Sequence, residues 1–178
     1  MTLPEDLKTY LAWEFDRVMP GTFKRNKEDY KHIDFPILGP LPTNKSATMP
    51  TEGSGVTGPF IYFVINCNEQ ICYIGKSKEK NIIKRWVRPG IGGPSTHYWT
   101  HTNKKAGCVR KIAEGINMDK GPYKLCFISL SSVPKHYVES FSEKYPAKVP
   151  LEQVENGFIE ILNPLWNGSG VISEVEKI

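Results

Sequence analysis

Apolar residues change their spacing several times along this chain, and each change marks a different kind of element. Leu7, Leu11, Phe15 and Val18 recur at helical intervals, which predicts an amphipathic helix over residues 4–18. Thr2-Leu3-Pro4-Glu5 has the Thr-x-x-Glu form of a capping box, and Pro20-Gly21 would end the helix. Residues 20–59 hold six of the 14 prolines together with Gly53, Gly55 and Gly58. That stretch reads as an arm or loop rather than a core. From Phe60 the texture changes. FIYFVIN is a nearly continuous apolar, β-branched and aromatic run, CNEQ interrupts it, and ICYIG resumes. Two strands with a short polar loop between them make a β-hairpin.

The second half of the chain reads as mostly helical. NIIKRW, at 81–86, predicts a short helix. Residues 87–102, with Pro89-Gly90 and Gly92-Gly93-Pro94, predict a loop. Asn103 to Glu114 predicts a basic helix stopped by Gly115, Tyr123 to Leu130 a third strand, and His136 to Tyr145 a further helix. Leu151 to Leu162 has the clearest pattern. Leu151, Val154, Phe158, Ile161 and Leu162 fall on one apolar stripe, and Asn163-Pro164 closes the helix. Glu155 falls on that same stripe. The expectation is an α+β fold (a small mixed α/β domain): a three-stranded, mostly antiparallel sheet flanked by helices, behind an N-terminal helical and loop extension.

Composition narrows the class. With 178 residues, 39% of them hydrophobic and 24% charged, the chain is sized and composed like one ordinary globular domain with an extension. No apolar run approaches the length of a membrane span, so no membrane partner is expected. The N-terminus has no basic and apolar leader pattern. Cys67, Cys72, Cys108 and Cys126 form no C-x-x-C pair and are too few for a disulfide framework. A reduced, cytoplasmic protein is the expectation.

Charge points further. Residues 76–111 hold ten Lys/Arg against one acid, a local charge of +9, while the rest of the chain carries −5. A basic middle in an otherwise acidic chain is the footprint of a polyanion partner, most simply a nucleic acid backbone. The candidates for backbone contact are Lys76, Lys84, Arg88, Lys104, Lys105, Arg110 and Lys111. A solvated lysine-rich face is the plainer explanation for such a run.

Several catalytic patterns are absent. Gly75-Lys76-Ser77 follows a strand, but a P-loop needs a glycine where the chain has Gln70. His97 and His101 are spaced for one helix face, yet no third zinc ligand lies nearby. No G-x-S-x-G elbow marks a nucleophile.

The informative set is Phe60-Ile61-Tyr62, Tyr73-Ile74-Gly75-Lys76-Ser77, Lys84-Arg85, and Glu155-Asn-Gly-Phe-Ile-Glu-Ile-Leu-Asn-Pro-Leu-Trp-Asn167. In this order and spacing the chain resembles the GIY-YIG nuclease superfamily, and within it a restriction-endonuclease-like member. The resemblance covers residues 58–168. It divides the chain into an N-terminal arm, 1–57, a nuclease domain, 58–168, and a C-terminal tail, 169–178.

The resemblance implies a site built from Tyr62, Tyr73, Arg85, Glu155 and Asn167. Glu155 would hold a hard divalent cation, Mg²⁺ or Mn²⁺, which needs only one or two protein carboxylates. Arg85 would neutralise the scissile phosphate. The two tyrosines, on adjacent strands, would share one sheet face and position or deprotonate the attacking water. Asn167 would help hold the site together, and Lys76 would reach phosphate. Two departures stand out. Phe60 replaces the first glycine, and Pro89 stands where many members carry a His or Tyr. His97 or His101 from the 87–102 loop would then take that role. The implied function is metal-dependent cleavage of double-stranded DNA, of the sequence-specific restriction type, with a homo-oligomer as one way to cut both strands. A repair or structure-specific nuclease and a non-catalytic nucleic-acid-binding module are the alternatives.

Overall fold

The computed structural model describes residues 1–24, 32–39, 53, 55–86, 107–146 and 148–167. Among the described residues six strands and four helices run in the order β1 (Tyr10–Phe15), β2 (Arg17–Lys24), β3 (His32–Gly39), β4 (Phe60–Ile65), β5 (Ile71–Ser77), α1 (Ile82–Trp86), α2 (Gly107–Asn117), β6 (Tyr123–Ser129), α3 (Lys135–Lys144) and α4 (Pro150–Leu162). A short 3₁₀ turn, Leu130–Ser132, joins β6 to α3. The fold is α+β. One antiparallel sheet has the strand order β1-β6-β4-β5, and β2 and β3 form a separate two-stranded ribbon.

The continuous apolar run at Phe60–Ile65 follows from the position of β4. It lies inside the sheet, and helices cover both faces, so every one of its residues is buried. Phe60, Tyr62 and Val64 point to one face, where Ile82 and Trp86 of α1 and Val109 and Ile112 of α2 pack. Ile61, Phe63 and Ile65 point to the other, against Phe141 of α3 and Leu151, Val154 and Phe158 of α4.

Two expectations fail in the N-terminal region. Residues 4–18 are not helical. Leu7 closes a turn on the Pro4 carbonyl at 3.1 Å, and Tyr10–Phe15 is a strand that pairs with β6, making the sheet four-stranded rather than three-stranded. The four residues of the expected stripe do not share a face: Leu7 and Leu11 belong to the layer of α3 and α4, Phe15 and Val18 to the layer of α1 and α2. The register slips between Leu11 and Trp13, so Ala12 is the extra residue. A bulge shifts the in–out alternation by one. It leaves Leu11 in one layer and Phe15, four residues on, in the other.

The second failure is the arm. Its described residues 20–24 and 32–39 belong to the β2–β3 ribbon, with Pro20 paired opposite Pro36. A two-stranded ribbon has an outer edge on each strand, so a proline whose nitrogen faces outward costs no ladder bond. Proline content therefore did not mean loop here.

The remaining elements fall close to their sequence pattern. α1, α3 and α4 lie within a residue or two of expectation, and Asn163, in the left-handed conformation with φ 39°, ends α4. Gly115 does not stop α2, which runs on to Asn117. Its role is space. A Cβ there would stand 1.9 Å from the Tyr123 hydroxyl oxygen, so the glycine lets β6's first side chain lie against the helix. None of the four cysteines is joined in a disulfide. Burial pushes the Cys72 thiol up to about 11 and also raises Cys108, while Cys67 is exposed. Among the described residues no helix is long and apolar enough to cross a membrane.

α3 and α4 are tied together at the surface by Glu160, which accepts hydrogen bonds from Lys144 and from the Tyr145 hydroxyl. These two donors hold the Glu160 carboxyl below its usual range, Lys144 first. The same bond raises the Tyr145 phenol to about 12. A group whose pKa rises on folding stabilises the fold below its unfolded pKa and loses that contribution as pH climbs through the folded value. The Tyr145 contribution is therefore present below about pH 10 and gone by about pH 12. In thermal melts across that window, Tyr145→Phe should decline less steeply than the parent. Equal slopes would show that the bond carries no stability. Tyr123 and Tyr137 are also raised, mainly by burial, so some decline persists in the variant.

Candidate active site

The hairpin register decides how the tyrosines meet. Tyr62 lies opposite Gly75 in the β4–β5 ladder. Tyr73, two residues before Gly75, points to the same face. The Tyr62 and Tyr73 rings stand 6.1 Å apart, and Trp86 of α1 meets Tyr62 edge-on at 5.6 Å. Trp86 thus fastens the short helix to the tyrosine face, with half-buried Arg85 beside it in sequence. Gly75 is the condition for this arrangement. A Cβ there would lie 2.4 Å from the Tyr62 ring and 2.5 Å from its hydroxyl oxygen. The Tyr62 phenol lies across the bare backbone of β5.

Lys76 is one residue further and points the opposite way, as does Ile61, its partner in the ladder. That face carries α4. Lys76 Nζ donates to Glu155 Oε2 at 2.5 Å and stands 3.6 Å from Glu152 Oε1. The Glu155 side chain is only 14% exposed, and that of Glu152 is 37% exposed. Glu152 was missed in the sequence, although its spacing of three from Glu155 on a helix puts both on one side.

The phenols and the carboxylate therefore belong to opposite faces of the sheet. They do not share one face. What joins them is the position of β5 at the sheet's edge. An edge strand is one backbone thick, and only there can groups from both faces address one ligand.

The described chain after α4 pairs along that edge. It turns back along β5. Leu165 N–H donates to the Ile71 carbonyl at 3.3 Å and Trp166 N–H to the Cys72 carbonyl at 2.8 Å. Asn167 then pairs with Ile74 twice. Its Oδ1 accepts from the Ile74 N–H and its Nδ2 donates to the Ile74 carbonyl, both at 2.8 Å. Among the described residues this pairing covers the edge as far as Ile74. Gly75 and Lys76 come next. Asn167 is thus a clamp rather than a reacting group, because both ends of its amide are engaged by backbone. Asn167→Ala should cost about 1–3 kcal/mol, since it leaves a half-buried donor and acceptor on Ile74 unpaired. Urea unfolding measures this, and a change within about 0.5 kcal/mol would show that water replaces the amide without loss.

The other candidate residues divide. Arg110 is exposed and bonds Glu114 on its own helix at 2.8 Å. Lys111 Nζ stands over the Trp166 ring at 5.9 Å. Lys84 is in α1 by its backbone. Arg88, His97, His101, Lys104 and Lys105 lie outside the described residues.

The carboxylate side suits a hard divalent ion. Two carboxylates face one ammonium, leaving net negative charge at a half-buried position. Among the described residues no three His, Cys, Asp or Glu converge. Such a donor set fits an ion that keeps most of its own waters, as Mg²⁺ does, better than zinc.

Compared with known proteins, the chain matches no family model, no curated protein and no solved structure.

Proposed function

We propose that this protein is a metal-dependent endodeoxyribonuclease of the GIY-YIG type, cutting double-stranded DNA, and that it selects its sites by sequence as restriction enzymes do. One observation carries the reading. Tyr62 and Tyr73 on one face of the sheet and the Lys76–Glu155 pair on the other flank the Gly75–Lys76 stretch of β5, the strand at the sheet's edge. Few structural needs would place these groups around one stretch of edge strand. Phosphodiester hydrolysis needs such a group set: a held water, charge relief on the phosphate, and a cation bound by carboxylate.

In this reading Glu155, with Glu152 beside it, holds the divalent ion, whose chemistry is charge relief at phosphate and a more acidic bound water. Lys76 occupies the carboxylate when no phosphate is present and turns to phosphate when one binds. Tyr73, half-buried beside Tyr62, orients the water. Arg85 neutralises the phosphate from α1.

The test is cleavage of supercoiled plasmid in Mg²⁺. Discrete, reproducible fragments support a restriction-type enzyme. Cutting confined to branched or damaged DNA would replace that specificity with a repair role. DNA binding without any cutting, in Mg²⁺ or Mn²⁺, would overturn the enzyme.

A further inference from the structure

A cavity of ≈ 430 Å³ opens at the other end of β5. Its walls are the β4–β5 turn, the later turns of α2, and the returning segment at Leu165–Trp166. The proposed catalytic groups do not line it. Ile71, where β5 begins, and Gly75 are four residues apart, about 13 Å along a strand.

Its lining combines three kinds of chemistry. The first is an aromatic plane. Trp166 is half-exposed, braced by Tyr123 at 5.7 Å, with the Lys111 ammonium over its ring. The second is apolar surface left in water. Met118 and Leu165, 63% and 61% exposed, both line the cavity. Large apolar side chains this open, gathered at one cavity, are a mark of ligand contact. The third is polar and cationic. Asn68 and Gln70 come from the turn, and Lys111 and Lys120 from α2 and the chain after it. Glu114, the acid in the lining, is engaged by Arg110, so the cavity is positive on balance.

A stacking plane, amides able to donate and accept, and cations without an acidic excess are what a nucleoside phosphate requires. We propose that this cavity binds one nucleoside phosphate unit, its base stacked on Trp166 and its phosphate held by Lys111 and Lys120. The base takes the place now filled by the Lys111 ammonium, which is free to follow the phosphate on its flexible stem. Two sources share this chemistry: a free nucleotide, and a nucleotide swung out of a bound strand. Only the second rests on the nuclease reading. At the ~3.4 Å spacing of a duplex strand, ~13 Å is about four nucleotides, so a DNA held at Gly75–Lys76 reaches the cavity.

The experiment titrates the metal-free protein, with Glu155→Ala in parallel, against the four deoxynucleoside monophosphates and against a short single-stranded DNA with and without one abasic site. The readout is the Trp166 indole N–H signal, assigned by its loss in Trp166→Phe. Mononucleotides that shift this signal, and whose binding Lys120→Glu weakens, establish the site with free nucleotide as a source. A shift produced by strands alone, with the abasic site weakening binding about 5- to 150-fold, establishes it for a strand nucleotide. No shift with any probe at millimolar concentration overturns the proposal. So does binding that neither Lys120→Glu nor Gln70→Ala changes, both of which alter cavity-lining side chains outside the buried core. Because no cleavage is measured, an inactive enzyme and an empty cavity give different results.

Discussion

Glu155→Ala is expected to lower DNA cleavage by at least about 10²-fold, the scale of removing one preorganised electrostatic group from a hydrolytic site. DNA affinity should hold or rise slightly, because a negative charge leaves a surface that faces phosphate. The fold should survive. Glu155 sits at 14% exposure in a pair with a partly exposed lysine, a contact worth at most about 1 kcal/mol. Lys76 keeps Glu152 as a partner at 3.6 Å. Plasmid cleavage over a range of Mg²⁺, beside a gel-shift on the same DNA, separates the two quantities. Glu152→Ala should cost less, since that carboxylate is more exposed and farther from the ammonium. Undiminished cleavage by Glu155→Ala would remove the metal role from this helix, whatever happened to binding.

Gly75→Ala is expected to do damage out of proportion to one methyl group. Its carbon would lie 2.4 Å from the Tyr62 ring, and Tyr62 is 1% exposed, walled by Trp86 and Tyr73. The ring is buried, so the methyl must displace it against those neighbours. Overpacking of this kind costs about 1–3 kcal/mol, or roughly 2–12 °C of melting temperature for a chain of this size. The displaced phenol should also lose its place relative to Tyr73, so cleavage falls more than stability accounts for. The control is Tyr62→Leu, which empties the space. In that background the added methyl should cost little, and the double-mutant cycle should show coupling. A stable, fully active Gly75→Ala would mean that the phenol does not lie over this strand.

The lesson on legibility differs between the two halves of the chain. The hairpin, β6, α3 and α4 were readable because each is long, strongly apolar and bounded by turn residues, so local pattern and tertiary placement agree. The N-terminal part was not. Leu7, Leu11, Phe15 and Val18 satisfy a helical interval, but on either side of the bulge the first two face one layer and the last two the other. What selected the strand was the open edge of β6, to which β1 adds, and no local window contains that edge. Pro20 and Pro36 looked like breakers because the ladder that tolerates them pairs residues sixteen apart.

By itself the sequence determined the candidate site's parts: two tyrosines on paired strands, a lysine shortly after the second, and a carboxylate on a half-apolar helix. Strand alternation and helix periodicity are local rules, so these placements needed no further information. Only the tertiary structure decided that the carboxylate comes from the opposite face, that Lys76 reaches it at 2.5 Å, and that Asn167 pairs with Ile74 on the edge of β5. Those facts depend on β5 being the last strand of the sheet and on α4 packing beneath it. Strand order and helix docking are set by contacts between residues far apart in the chain, such as Tyr10 and Phe127 across the β1–β6 ladder, which leave no periodic trace in the chain.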